Sequence, residues 1–289
     1  MTYDLAIGDR SYSSWSLRGW LFFEKFGIPV KVHTGILYSD DLQRLLSRFA
    51  PARQVPAIRT PAGEVIGESI AIAETLAERY PDAGLWPADP SARSMARYMV
   101  AEMHAGFRDL RGDCPMNLLK SYQDSKPRPE VLADLARLEV IWSQARDRFG
   151  AEGPWLFGRY SAADAFFAPV AMRIAAYNLP VSQKAQDYVE AHLADPALRR
   201  WRAMGKAENL EQPSYRMPYV ERPWPGPSPM VAIVADGPSI NQACPYSGDP
   251  VTDFLRLNGK VWGFCNPFCR DKTLHDPEVW TKFMAMING

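Results

Sequence analysis

This chain of 289 residues has no surplus of either charge: Lys+Arg and Asp+Glu each total 33, and the isoelectric point is near 6.9. That balance argues against general nucleic-acid binding and against a membrane-surface role, since both draw on a basic excess. No apolar run approaches the roughly 20 residues needed to span a bilayer. The start, MTYDLAIGDR, has neither a basic leader nor a long apolar stretch, so no signal peptide is expected. Cysteine is scarce, with four in the whole chain, too few for a disulfide framework. A reducing cytoplasm is the expected compartment. There is no internal repeat.

What is present divides into four stretches. Residues 3–8 (YDLAIG) read as a buried strand, and Trp15 to Phe26 follows with apolar residues at helical spacing. PVKVHT reads as a second strand and DDLQRLLSRF as a second helix. VPAIRT and EVIGES pair as a hairpin around Pro61-Ala62-Gly63, and SIAIAETLAERY closes the segment as a helix. This βαβαββα order over residues 1–83 predicts an α/β thioredoxin-like domain. Residues 89–210 carry helical patterning throughout and predict an all-α bundle. SARSMARYMVAEMHAGFRDLRGD reads there as one long helix. Residues 213–238 contain seven prolines, so 211–238 reads as a stiff linker. The stretch 239–289 is a separate appendage bearing three cysteines.

The turn into the first helix, SYSSWSLRGW, offers Ser11, Ser13 and Ser14. Helix-start N–H groups are unpaired and sit at the positive end of the dipole, so a thiolate there is stabilised by field and hydroxyl together. No histidine lies nearby in sequence to activate a serine. Two roles stay open: donating a hydrogen bond to the sulfur of a bound thiol, or capping the helix. In RQVPAIRT, Gln54 and Val55 precede Pro56 at a strand start. In thioredoxin-like proteins such a proline is typically cis and presents the preceding backbone to a peptide-like ligand. GESIAIAETL places Glu68 and Ser69 at another helix start, where Ser69 is suited to cap the helix and hold a carboxylate, and Glu68 to meet an ammonium.

With these residues in hand, the chain resembles the glutathione S-transferases over about residues 1–208. SYSSWSLR resembles the zeta-type SSCSWRVR stretch, and more closely a bacterial branch with YSSWS. QVPAI and ESIAI resemble the family's glutathione-binding signatures. GPWLFGRYSAADAFFAPV resembles its structural helix-start motif, with Ser161 as N-cap and Asp164 three residues on. The resemblance implies a cytoplasmic homodimer that uses glutathione as co-substrate and joins its thiolate to a small electrophile. Val55, Glu68 and Ser69 would hold the tripeptide. Ser13 would stabilise the thiolate, although an ungapped zeta alignment favours Ser11. The zeta motif's cysteine is replaced by Ser13, which sets maleylacetoacetate isomerase activity beside general transferase activity as an alternative. A non-catalytic or metal-responsive protein on the same scaffold is another.

On the acceptor side, Tyr98, Met103, His104, Phe107 and Leu110 recur at helical spacing, offering either a pocket face with Trp15 or ordinary core. His104 reads as a hydrogen-bonded packing residue, Arg108 and Arg111 as solvated helix residues or else as a draw for an acidic co-substrate, Arg18 as paired with a carboxylate such as Glu74, and Cys114 as an inert thiol.

Cys244, Cys265 and Cys269 are spaced Cys-x20-Cys-x3-Cys. Three converging thiolates need a cation. Zinc would want a fourth ligand, with His275 the nearest candidate and Asp271 or water as alternatives. The frame resembles the small TRASH and YHS metal-binding knuckles, from which it departs at Ser247, where many have another cysteine.

Overall fold

The computed structural model describes residues 2–150 and 153–288. Two compact units emerge. One comprises Met1–Leu193 with Gln212–Pro225, the other Ala194–Glu211 with Gly226–Gly289.

The first unit begins with β1 (Tyr3–Ile7), α1 (Ser14–Glu24), β2 (Val30–Thr34), α2 (Asp40–Ser47), β3 (Ala57–Arg59), β4 (Val65–Ile66) and α3 (Ser69–Arg79). The sheet order is β2-β1-β3-β4, with β1 parallel to β2 and antiparallel to β3. Leu5, Ala6 and Ile7 of the central strand are fully buried, as a strand covered on both faces requires. The thioredoxin-like order expected from the hydrophobic spacing is the one observed. Gly19 lets α1 approach the strand edge: a Cβ there would lie 2.6 Å from the Pro56 ring.

The helical part contains α4 (Pro90–Ala105), α5 (Arg108–Asp113), α6 (Pro129–Phe149), α7 (Ala162–Tyr177) and α8 (Gln183–Ala194). The single long helix expected before Cys114 is in fact two. Gly106 is extended and Phe107 left-handed (φ 52°), which ends α4 and re-aims α5. All sixteen residues of α7 are buried, and its start is fixed by the expected capping box of Ser161 and Asp164. Asp164 Oδ1 accepts from Leu156 N at 3.1 Å and Tyr188 OH at 3.0 Å, while Oδ2 accepts from Ser161 N at 2.8 Å.

The proline-rich stretch is not a free spacer throughout. Gln123 N donates to Val220 O at 3.0 Å and Arg222 N to Ser121 O at 2.8 Å. Prolines lack the N–H, but the residues between them still pair.

The second unit holds α9 (Pro196–Glu208), β5 (Ile233–Ala235), β6 (Asp253–Leu257), β7 (Lys260–Phe264), α10 (Pro267–His275) and α11 (Thr281–Asn288). The three strands form an antiparallel sheet in the order β5-β6-β7. Asn258 (φ 53°) and Gly259 (φ 76°) turn β6 into β7 with the positive angles that a tight hairpin demands. Leu255, Leu257, Trp262, Phe264 and Phe283 form the core, with Ala203 of α9 packed among them. Arg199 of α9 forks onto Asp276 at 2.9 and 2.8 Å. This unit therefore starts at α9, well before residue 239, and a bundle helix serves as its platform.

Candidate functional site

The first unit carries a cleft of about 790 Å³ where the α1 start, the segment before β3 and the α4–α5 junction meet. Asp9 builds the α1 entry. Its carbonyl accepts from Tyr12 N and Ser13 N, and its carboxylate from Leu37 N at 3.2 Å. Burial raises the Asp9 pKa, opposed by hydrogen bonds from Gln212 and Leu37.

Ser13 is the N-cap of α1 and lines the cleft. Its Oγ accepts from Ser16 N at 3.3 Å and donates to Ser16 Oγ at 2.7 Å. Ser16 Oγ in turn accepts from Gly8 N at 2.9 Å. Ser14 also lines the cleft, and its Oγ accepts from Arg173 at 3.5 Å. Ser11 does not line it; it is 1% exposed, and its Oγ has no partner among the described residues.

Gln54 and Val55 line the cleft, and the Val55–Pro56 bond is cis. Glu68 is a left-handed residue (φ 59°) just before α3, so the expected Ser69 cap is corrected: Ser69 is the first helical residue. Its Oγ is buried without a partner among the described residues. The exposed Glu68 carboxylate lies 3.6 Å from His104 Nε2.

Of the acceptor-side candidates, Trp15 and His104 line the cleft. Phe107 is buried and does not line the cleft, and Tyr98, within α4, is exposed. His104 is not the satisfied packing residue expected, since its Nδ1 is buried with no partner among the described residues. Burial lowers its pKa, opposed by Glu68 and reinforced by Arg18 and Arg111.

Arg18 does not pair with Glu74, which takes Arg97 instead at 2.9 and 2.8 Å. Fully buried, Arg18 donates to Phe166 O at 2.9 Å and stacks 4.3 Å from the Trp15 ring. Burial lowers its pKa, with Arg173 and Arg111 adding to the effect.

Sequence reasoning offered Arg108 and Arg111 as a draw for an acidic co-substrate, and the cationic character of the cleft goes further. Arg53, Arg108, Arg111 and Arg173 all line it. Arg111 is half-buried and stacks 4.9 Å from Trp15, where a solvated position was expected. Arg173 is buried in α7, donates to Cys114 O at 2.8 Å, and has its pKa lowered to about 10, chiefly by burial. Only its place as the one basic residue of α7 signals it in the sequence. Cys114 is buried, and burial pushes its thiol up to about 12.

In the second unit, the Sγ atoms of Cys244, Cys265 and Cys269 lie within 4.8 Å of one another. His275 is not among them. It stands six residues after Cys269 on α10, about 120° away around the helix axis. Its neighbours are Lys206, Asp271 and Arg202, and burial lowers its pKa to about 4. Asp271 is engaged by Arg270 at 2.7 Å. Burial raises the Cys244 thiol, but N–H groups of Tyr246, Cys265 and Ser247 outweigh it and leave the pKa near 7. Burial pushes Cys269 up to about 12.

Thioredoxin-like sheet and helical domain together define the glutathione-transferase fold. Residues 12–79 match the family model described as glutathione S-transferase, N-terminal domain. A probable maleylacetoacetate isomerase of Caenorhabditis elegans is 30% identical over 144 residues, covering 48% of this chain and 66% of that protein. The maleylacetoacetate isomerase of Pseudomonas aeruginosa is 30% identical over 126 residues, 41% of this chain and 56% of its own length. The chain thus spans less than two thirds of either relative. A glutathione transferase homologue from Burkholderia gl BGR1, solved with bound glutathione, aligns with TM-score 0.54 at 24% identity. That alignment covers 71% of this chain and 99% of the other. No helix among the described residues is long and apolar enough to cross a membrane.

Proposed function

We propose that the first unit binds glutathione and stabilises its thiolate for attack on a small anionic electrophile. The observation that carries this reading is the opening of two helix-start hydroxyls, Ser13 and Ser14, into the cleft that also contains Val55 and four arginines. Hydroxyl hydrogens rotate. With Ser16 Oγ donating to Ser13 Oγ, the Ser13 proton turns toward the ligand sulfur. Gly8 N–H, Ser16 and Ser13 then form a chain of donors, each polarising the next. Ser11 is set aside for this role because its oxygen is buried outside the cleft.

The tripeptide's backbone would pair with Val55. One of its carboxylates would reach the α3 start, where the unpartnered Ser69 hydroxyl and free N–H groups favour an anion. Glu68 is suited to its ammonium. The arginines give the second substrate its charge class. Arg111 and Arg108 stand beside Trp15 and His104, so a carboxylate-bearing electrophile fits better than a neutral aromatic one. The names of the two curated relatives favour an isomerase reading within this scheme, with glutathione adding to and leaving the same acidic substrate. A symmetric dimer is the proposed assembly.

The test is the ultraviolet absorbance of bound glutathione as a function of pH. Wild type should form thiolate at a lower pH than free glutathione, and Ser13→Ala should lose that shift. Losing a hydrogen bond to a charged sulfur costs about 1.5–3 kcal/mol, so turnover should fall at least about tenfold. Full turnover in Ser13→Ala together with loss in Ser11→Ala would overturn the assignment.

A further inference from the structure

The three clustered thiols of the second unit play no part in that chemistry. We propose that Cys265 and Cys244 form a reversible dithiol–disulfide couple that exchanges with a small-molecule disulfide of the glutathione disulfide class, Cys265 being the entry sulfur and Cys244 the resolving one.

Exposure separates the roles. Cys244 is 3% exposed, whereas Cys265 and Cys269 are half-buried, so an incoming disulfide meets one of the latter two first. Cys265 directly follows β7, and its Sγ accepts from Ser247 Oγ at 3.4 Å and Asn266 Nδ2 at 3.2 Å. Hydrogen bonds to a sulfur favour the thiolate, which is the attacking form. Asn266 is also the N-cap of α10, where its side-chain oxygen accepts from Cys269 N at 2.8 Å. One amide therefore fixes the helix start and serves the entry sulfur.

Cys244 stands behind it in a turn closed by Cys244 N to Asp249 O (2.8 Å) and Gly248 N to Cys244 O (2.9 Å). Backbone N–H groups of Tyr246, Ser247 and Cys265 aim at its sulfur, so this buried thiol too is prepared as a nucleophile. Ser247 belongs to the same turn and reaches across to Cys265, which ties the two segments together. The three sulfurs lie within 4.8 Å of one another. A disulfide bond is about 2.05 Å long, so Cys244 and Cys265 need to close by less than about 3 Å, within reach of side-chain rotation. In the first step the Cys265 thiolate attacks one sulfur of glutathione disulfide, forming a mixed disulfide and releasing one glutathione thiolate. In the second, the Cys244 thiolate attacks the Cys265 sulfur from the buried side, forming the Cys244–Cys265 bond and releasing the second glutathione thiolate to solvent. Two protein thiols are oxidised and one glutathione disulfide is reduced, and the two thiol protons end on the two glutathiones. Excess glutathione runs both steps backwards.

The experiment uses the whole 289-residue chain, reduced, chelator-treated and kept anaerobic. It is equilibrated with glutathione and glutathione disulfide over a range of ratios, quenched in acid, alkylated and mapped by mass spectrometry. The expected result is one disulfide per chain, joining Cys244 to Cys265 and reversed by excess glutathione, with Cys114 and Cys269 still open to alkylation. Samples quenched early should carry glutathione on Cys265. Cys244→Ser should stop at that adduct, Cys265→Ser should form no disulfide, and Cys269→Ser should still close the bond. Should these variants fail to fold, the early adduct and the final linkage in wild type decide alone. No disulfide at any ratio, a first adduct on Cys269, or a Cys265–Cys269 linkage would each overturn the proposal. Cystine in place of glutathione disulfide should close the same bond, so the result stands whether or not the first unit binds glutathione.

Discussion

Gln212 and Asp9, 203 positions apart, share a 2.6 Å hydrogen bond from the glutamine side-chain amide to the carboxylate Oδ2. The same Asp9 holds the Tyr12–Ser13 turn through its carbonyl, so the returning segment braces the start of α1. Tyr215, three residues on, packs 4.9 Å from Tyr12 and lines the cleft.

Gln212→Ala should therefore destabilise the first unit. Asp9 is buried and loses a donor, which costs about 1–3 kcal/mol. Its pKa, already raised by burial, should rise further because the glutamine amide lowers it. Denaturant unfolding of wild type and variant checks the stability change. An unchanged midpoint would show that the brace is dispensable.

Asp164→Ala should be the more damaging change. The carboxylate accepts from Leu156 N, Ser161 N, Ser161 Oγ and Tyr188 OH, and all four donors would be stranded in the core. A loss above about 3 kcal/mol is expected, seen as aggregation or a collapsed thermal transition.

The second unit should weaken in acid through His275. Its pKa, lowered to about 4 by burial among Lys206, Arg202 and Asp271, lies below the unfolded value of about 6.5. Between those values the unfolded chain binds a proton that the folded unit refuses, so stability falls as pH drops from about 6.5 to about 4. Above pH 6.5 the penalty is absent. Thermal midpoints measured across that range should slope less in His275→Gln than in wild type; parallel curves would rule out His275 as the cause.

Local pattern carried much of the fold. The apolar spacing of 3–80 gives the βαβαββα order, and Ser161 with Asp164 marks the α7 start through short-range hydrogen bonds. Asn258-Gly259 likewise announces its hairpin. What stayed hidden depends on distant partners. The break at Gly106–Phe107 lies inside an uninterrupted helical pattern, and one glycine does not specify a left-handed phenylalanine. Residues 212–225 look like a spacer until Ser121, Asp124 and Asp9 supply their partners. Arg173 reads as a stray charge in an apolar helix, and its place in the cleft follows only from tertiary packing. The three thiols of Cys244, Cys265 and Cys269 lie together, and helical phase sets His275 apart from them.

Calorimetric titration of the 289-residue chain with glutathione tests the central claim most directly. The account predicts saturable binding below millimolar concentration, weakened severalfold or more by Ser69→Ala, whose buried hydroxyl has no partner among the described residues. No detectable heat at millimolar glutathione, with the protein folded, would contradict it.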